Sequence, residues 1–380
     1  MTDVKYIGMD VHQASISIAF LDGGGALLMQ STIRTQACTL REFLRGLEGT
    51  LYVTFEEGTW SAWLYDLLSP HVTQAIACDP RHNAWLKSGN KSDKIDARRL
   101  AELLRAGMLK PVYHGQRNAH RLKELSRSYL TLVHDSPRVM NRIKAIYRSQ
   151  GIRCAGQRVY SLRYRVNWLE QLREPGLRQR AALLYQQLDG VQTLRKQARR
   201  ALLAASRKHP AHRLLLSVPG LGLIRVALLL ALMQTPHRFR SKRQLWAYAG
   251  LALVTRSSAD YRLVHGSLER SRKPIAIRGL NQNHNHDLKE MFKSAALRAC
   301  RPPGPWRDCF TKRVEQGMKP ELARLTMARK LAAVALILWR KGEHYNAEKL
   351  ITQAAFSRSA ADRSRPSSDR SPIVRRWVRG

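Results

Sequence analysis

The sequence predicts an α/β domain followed by a long helical stretch and a mostly helical second domain. Three observations carry this expectation. Short alternating and apolar segments crowd residues 5–78, strand signals vanish between about 118 and 208, and a compact, mostly helical pattern follows from residue 214.

Taken in order, residues 6–10 read as a short strand and Ser15–Leu21 as an alternating one. Gly23, Gly24 and Gly25 mark a turn before a third strand over residues 26–33. Leu40, Phe43, Leu44 and Leu47 recur at helical spacing, residues 51–56 read as a buried strand, and Trp60, Trp63, Leu64 and Leu67 mark a second helix. Gln74–Cys78 is a further strand, followed by a basic loop and a helix over about residues 94–106. The order β-β-β-α-β-α-β-α is that of the RNase H-like fold, an analogy that does not by itself fix function.

Beyond residue 118, Leu122, Leu125, Tyr129, Leu132 and Val133 recur among many cations, the pattern of long amphipathic helices and in part of a coiled coil. Gly151 and Gly156 suggest a break, giving a helical hairpin or two separated helices. In the last region a helix over residues 320–339 offers Leu322, Leu325, Leu331, Val334 and Leu338 to a core. After residue 353, serine, arginine, alanine and proline predominate, and too little apolar surface remains to offset ordering. The expected division is therefore residues 1–115, a helical linker over 116–208, a C-terminal domain over 209–350 and a disordered basic tail over 351–380.

Lysine and arginine number 66 against 28 acidic residues, a formal net charge of +38. Such a field repels itself unless a polyanion neutralises it, and nucleic acid is the natural partner. The excess runs through most of the chain, whereas a basic tail added for solubility or membrane adhesion would concentrate it. Cys38, Cys78, Cys154, Cys300 and Cys309 are scattered, without the close pairs of a zinc or redox motif, and read as reduced thiols. The N-terminus lacks the apolar core of a signal peptide, and Pro219, Gly220, Gly222 and Arg225 interrupt the longest apolar stretch. A soluble protein of the cytosol or nucleoid, without membrane association, is expected.

Four carboxylates stand where such a fold would converge them. Asp10 ends the first strand, Glu56 ends the later one, and Asp93 and Asp96 lie three apart at a helix entrance, on one helical face. Clustered carboxylates repel one another, and divalent cations make such a cluster tenable while acting as Lewis acids on a phosphodiester. Magnesium fits oxygen ligands best, with manganese as the alternative. Each residue also has an ordinary explanation: Asp93 an N-cap, Asp96 a favourable charge in the first turn. A carboxylate ending an apolar strand is harder to explain away, because burial disfavours it unless it is paired or bound. Glu57 competes with Glu56, and alternation along the strand does not choose between them. Asp79 reads as a turn residue before Pro80.

The stretches Ile7-Gly8-Met9-Asp10-Val11-His12, Phe55-Glu56-Glu57-Gly58-Thr59 and Lys91-Ser92-Asp93-Lys94-Ile95-Asp96-Ala97-Arg98-Arg99-Leu100-Ala101 resemble the Asp-Glu-Asp-Asp blocks of the DEDD insertion-sequence transposases, the IS110 group. Ser217-Val218-Pro219-Gly220-Leu221-Gly222 and Gln244-Leu245-Trp246-Ala247-Tyr248-Ala249-Gly250-Leu251 are similar to that group's C-terminal transposase domain. The resemblance implies a RuvC-like N-terminal domain, a helical linker used in assembly, and a serine nucleophile after the Ala-Tyr-Ala-Gly-Leu block. The matching positions are Ser257 and Ser258, with Ser257 preferred because the first serine is common to the family's contexts. Here Ala259 stands where the family usually has glycine, and the basic segment beyond is reduced to Ile277-Arg278-Gly279.

The resemblance further implies a structured guide RNA, DNA as substrate, and a homo-oligomer, dimeric or tetrameric, with a composite active site. Gly220 and Gly222, in a helix-hairpin-helix-like turn, and the neighbouring cation Arg256 are candidate nucleic-acid contacts. A tight packing turn explains the two glycines as well. Two other functions fit the residues: a RuvC-type nuclease in which metal-activated water replaces Ser257, and a non-catalytic nucleic-acid scaffold with structural carboxylates.

Overall fold

The structure, a computed structural model, describes residues 3–81, 92–115, 117–256, 261–264, 267–270 and 276–347; residues 117–119, 255, 256, 261–264, 267–270 and 276–278 are described by backbone alone. The expected tail over 351–380 lies outside the described residues. The chain divides into two compact units, Met1–Gln116 and Arg117–Gly380.

In the first unit, strands β1 (Val4–Val11), β2 (Ser15–Leu21), β3 (Leu27–Arg34), β4 (Thr50–Glu56) and β5 (Gln74–Cys78) form one sheet in the order β3-β2-β1-β4-β5. The first three strands are an antiparallel meander, whereas β4 and β5 run parallel to β1. Crossovers with helices make the parallel pairs possible: α1 (Ala37–Arg45) precedes β4 and α2 (Ser61–Leu68) precedes β5. Alternation gives the sheet two buried faces. Ile7, Met9, Ile16, Ile18, Phe20, Val53 and Phe55 pack in one core with Leu40, Leu44, Leu64 and Leu68 of α1 and α2. The opposite face is covered by α3 (Asp93–Arg105), which buries Ala97, Leu100, Ala101 and Leu104.

In the second unit, α4 (Arg117–Ser149) and α6 (Pro175–Arg207) pair along their lengths, each about 50 Å long at 1.5 Å per residue. Leu122 and Tyr129 share a core with Leu202, while Val139, Ile143, Ile146 and Tyr147 share another with Ala181, Tyr185 and Leu188, so the two helices run antiparallel. Of the two arrangements left open by the sequence, this is the hairpin. Buried positions on α4 recur every seven residues, Leu122, Tyr129, Ser136 and Ile143, keeping one seam against α6. The chain turns at Gly151 and Gly156, both with positive φ, and passes through α5 (Arg165–Glu170). At that end the Tyr147 and Tyr185 hydroxyls lie 3.1 Å apart, Tyr185 donates to the Val159 carbonyl, and Arg165 grips Asp189 through both carboxylate oxygens.

The rest of the unit is mainly helical: α7 (His212–Leu216), α8 (Leu223–Met233), α9 (Lys242–Tyr248), α10 (His286–Ala299), α11 (Pro305–Glu315) and α12 (Pro320–Lys341). Four short strands, unforeseen from the sequence, stand between α9 and α10: β6 (Leu253–Arg256) pairs with β9 (Ala276–Leu280), and β7 (Tyr261–Val264) with β8 (Ser267–Arg270). The ends of α4 and α6 away from that turn join this region through one core, because Leu122 and Tyr129 of α4 and Leu202 of α6 pack with residues of α8, α10 and α12. One expected core residue is corrected. Leu322 is 53% exposed, and the buried stripe of α12 instead begins at Ala323 and continues through Met327, Ala328 and Leu331. Among the described residues no helix is long and apolar enough to cross a membrane.

Candidate active site

The register of two strands places the first two carboxylates. Met9 of β1 is level with Phe55 of β4, so Asp10 and Glu56 each stand one residue further, at the same ends of adjacent parallel strands. Met9 and Phe55 point into the core under α1 and α2. Residues one step away point oppositely, and Asp10 and Glu56 therefore share the face covered by α3.

The start of α3 brings the other two carboxylates to that face. Ser92 caps the helix, its side chain accepting from the Ile95 amide at 3.3 Å, and the Lys94 carbonyl accepts from Gln30 of β3 at 3.2 Å. Asp93 precedes buried Ala97 by four residues and Asp96 precedes buried Leu100 by four, so both extend the sheet-facing stripe by one turn. Gly8 sets the spacing. A side chain there would overlap the Ala97 carbonyl oxygen and crowd the Ala101 amide, so the small residues Gly8, Ala97 and Ala101 let the helix backbone lie directly on β1.

These elements converge on a cluster of side chains. His12, just past the end of β1, places Nε2 3.2 Å from Asp10 Oδ2 and 3.5 Å from Asp93 Oδ1. One ligand atom from each of Asp10, His12 and Asp93 lies within 4.8 Å of the others. Burial pushes the Asp10 carboxyl above its ordinary range, His12 opposes the shift, and the charges of Asp93 and Asp96 add to it. Asp96 Oδ1 is buried without a hydrogen-bond partner; the Arg99 guanidinium approaches only to 3.9 Å. The grouped ligand atoms are those of Asp10, His12 and Asp93; an Asp10 carboxyl whose charged form burial disfavours, with the unsatisfied Asp96 oxygen on the same helix as Asp93, fits a divalent cation. His12 was not singled out as a site residue in the sequence, where a polar residue after a strand gives no signal of its own.

The two neighbouring glutamates part company. Glu56 turns to the α3 face, half-buried, whereas Glu57 lies beyond β4 and is 2.8 Å from His114 Nε2. Asp79 accepts from the Arg81 amide at 3.0 Å, a turn contact.

In the second unit, Gly220 has φ +83°, and a side chain there would strike the Ala295 carbonyl of α10. Arg225 Nη1 donates to the Gly220 carbonyl and its Nε to Ser294 Oγ, pinning the turn. Gly222 has open space around it and precedes α8 in extended conformation. Arg256 ends β6; its side chain, Ser257 and Ser258 lie outside the described residues. On α6, Arg195, Lys196, Arg199 and Arg200 are exposed.

Two families match the chain. A transposase model of the DEDD IS110 type spans residues 7–149, which include all four carboxylates. The model described as Transposase IS116/IS110/IS902 family spans residues 212–276, from α7 to the start of β9. Between them the matches cover more than half of the sequence. No curated protein matches it.

Proposed function

The chain belongs to the IS110 group of DEDD transposases, and from that premise we propose that it cuts and rejoins insertion-sequence DNA with a divalent-metal site on Asp10, Glu56, Asp93 and Asp96 and a nucleophile at Ser257. The observation that carries the metal site is the convergence of Asp10 and Asp93 about His12 beside the unsatisfied Asp96 oxygen. The strand order and the three-stranded meander are consistent with an RNase H-like, RuvC-like domain.

When bound, magnesium or manganese supplies Lewis-acid stabilisation of the charge that develops on the phosphate. Asp10 and Glu56 hold one side of the pocket from the sheet, and Asp93 and Asp96 close it from the helix. Gly8 fixes the distance between those two sides. The Ser257 hydroxyl adds to the phosphorus of a DNA phosphodiester and displaces one DNA oxygen. The proton that serine loses balances the proton that the leaving hydroxyl gains. Because a phosphodiester is exchanged for a phosphodiester, rejoining by the reverse attack needs no external energy source.

A charge of +38 is compatible with holding RNA as well as DNA, and a structured guide RNA and a homo-oligomer are what the family resemblance implies. Gly222, Arg256 and the exposed cations of α6 are the proposed nucleic-acid contacts, while Gly220 secures the turn.

The test is cleavage of the element's end DNA with its associated RNA, with and without magnesium. Asp93→Asn and Asp96→Asn should each lower cleavage by about 100-fold or more while DNA binding persists, as for the removal of groups that stabilise transition-state charge. Cleavage that survives chelation, or both substitutions, would remove the metal site from the mechanism.

A further inference from the structure

We propose that Glu57 and His114 form a positioning pair that holds Glu56 in the metal site by tying the end of β4 to the segment through which the chain leaves the first unit. The inference rests on the metal reading above and assigns a role to residues outside the ligand set.

Glu56 is the last residue of β4, level with Cys78, the last of β5. Strand ends fray unless something beyond the ladder restrains them, and a ligand on such an end would wander with it. Two contacts act on the next residue, Glu57, and a third anchors its partner His114. The Glu57 amide donates to the Cys78 carbonyl at 2.8 Å, Glu57 Oε2 lies 2.8 Å from His114 Nε2, and the His114 ring stacks on Tyr65 of α2 with centroids 4.7 Å apart. The His114 side chain is 8% exposed and that of Glu57 38%, so the bond is anchored from the buried imidazole while the carboxylate stays open to solvent.

The backbone leading to His114 is itself anchored. The Asp79 amide donates to the Lys110 carbonyl, Pro111 forms a β-bridge with Cys78, and the Val112 amide donates to the Ala77 carbonyl at 2.7 Å. This segment lies along the outer side of β5, the edge of the sheet, and protects that edge from other strands. It ends at His114, shortly before the unit boundary at Gln116. A purely protective segment would need no side-chain hydrogen bond back to the residue that follows β4. The imidazole instead fixes the direction of Glu57, and through the intervening peptide the orientation of Glu56, as outer-shell groups orient metal ligands.

The experiment measures Mn2+ binding to the full-length protein by the loss of free-ion electron paramagnetic resonance signal, alongside thermal unfolding. His114→Ala should weaken Mn2+ binding by about 10- to 100-fold, and His114→Gln, which can present a donor near the Nε2 position, should restore most of it. Glu57→Ala, which leaves the ring stack on Tyr65, should weaken binding to the same extent and serves if His114→Ala fails to fold. Unchanged Mn2+ affinity in a folded His114→Ala or Glu57→Ala protein overturns the proposal. So does a loss in Glu57→Ala as complete as in Asp10→Asn, since Glu57 would then be a ligand. Wild-type protein that binds no Mn2+ overturns the metal reading and this proposal with it, whereas a failure confined to the His114 and Glu57 variants leaves the metal reading intact.

Discussion

Asp10 and Glu56 stand side by side at the ends of adjacent parallel strands, one residue beyond the paired Met9 and Phe55, and both face the helix that carries Asp93 and Asp96. Burial and the neighbouring acids raise the Asp10 pKa from its ordinary 3.8. For a carboxyl raised by folding, the penalty is absent below the ordinary value and grows as pH rises through the raised one. In metal-free protein Asp10 should therefore contribute a loss of stability to the first unit as pH rises from about 3.8. Asp10→Asn should remove that loss, unfold at a higher temperature than wild type in chelator at neutral pH, and gain less from added magnesium. Thermal unfolding with and without metal reads all three effects.

Gly8→Ala should destabilise the first unit by on the order of 3 kcal/mol, because the atom that a side chain meets is the Ala97 backbone carbonyl and no rotamer change relieves it. Denaturant unfolding of the full-length variant and of wild type, followed by circular dichroism, measures the difference.

Gly220 and Gly222 should respond differently. Gly220→Ala combines a left-handed backbone with an overlap on Ala295 and should cost on the order of 3 kcal/mol. Gly222→Ala meets open space in an extended conformation and should cost no more than about 1 kcal/mol. If the turn takes a phosphate, Gly222→Ala weakens DNA binding at unchanged stability, as a filter-binding titration would record.

At the far end of the hairpin, the hydrogen bond from Arg165 holds the Asp189 carboxyl below its ordinary 3.8. A depressed carboxyl contributes stability above its ordinary value and loses it as pH falls through the depressed one. Acid unfolding of the second unit should begin at higher pH in Asp189→Leu than in wild type, though modestly, since the Asp189 side chain is 40% exposed. Circular dichroism across the acid range measures the shift.

Much of this arrangement was legible in the sequence because the strands of the first unit are short and apolar, and their order is distinctive. The four acids could be placed at strand and helix ends without coordinates. Choosing Glu56 over Glu57 for the α3 face required the pairing of Met9 with Phe55, which fixes the facing of each residue and which no single strand encodes. His12 and His114 carry no local signal, since their partners lie on other elements. The strands β6 to β9 are four or five residues long and interleaved with cations and glycine, too short for a period to register. Leu322 misled because α12 also carries Leu325 and Ile337, so that apolar residues lie all around the helix and the core stripe is set by what packs against it.

The most direct test of the central claim is covalent capture. The protein is incubated with its element's end DNA, the associated RNA and magnesium, and then resolved by denaturing electrophoresis with peptide mapping. The expected result is a protein–DNA adduct at Ser257 that requires magnesium and disappears in Asp10→Ala and Ser257→Ala. Magnesium-dependent cleavage that persists in Ser257→Ala, without any adduct, would contradict it and identify water as the nucleophile.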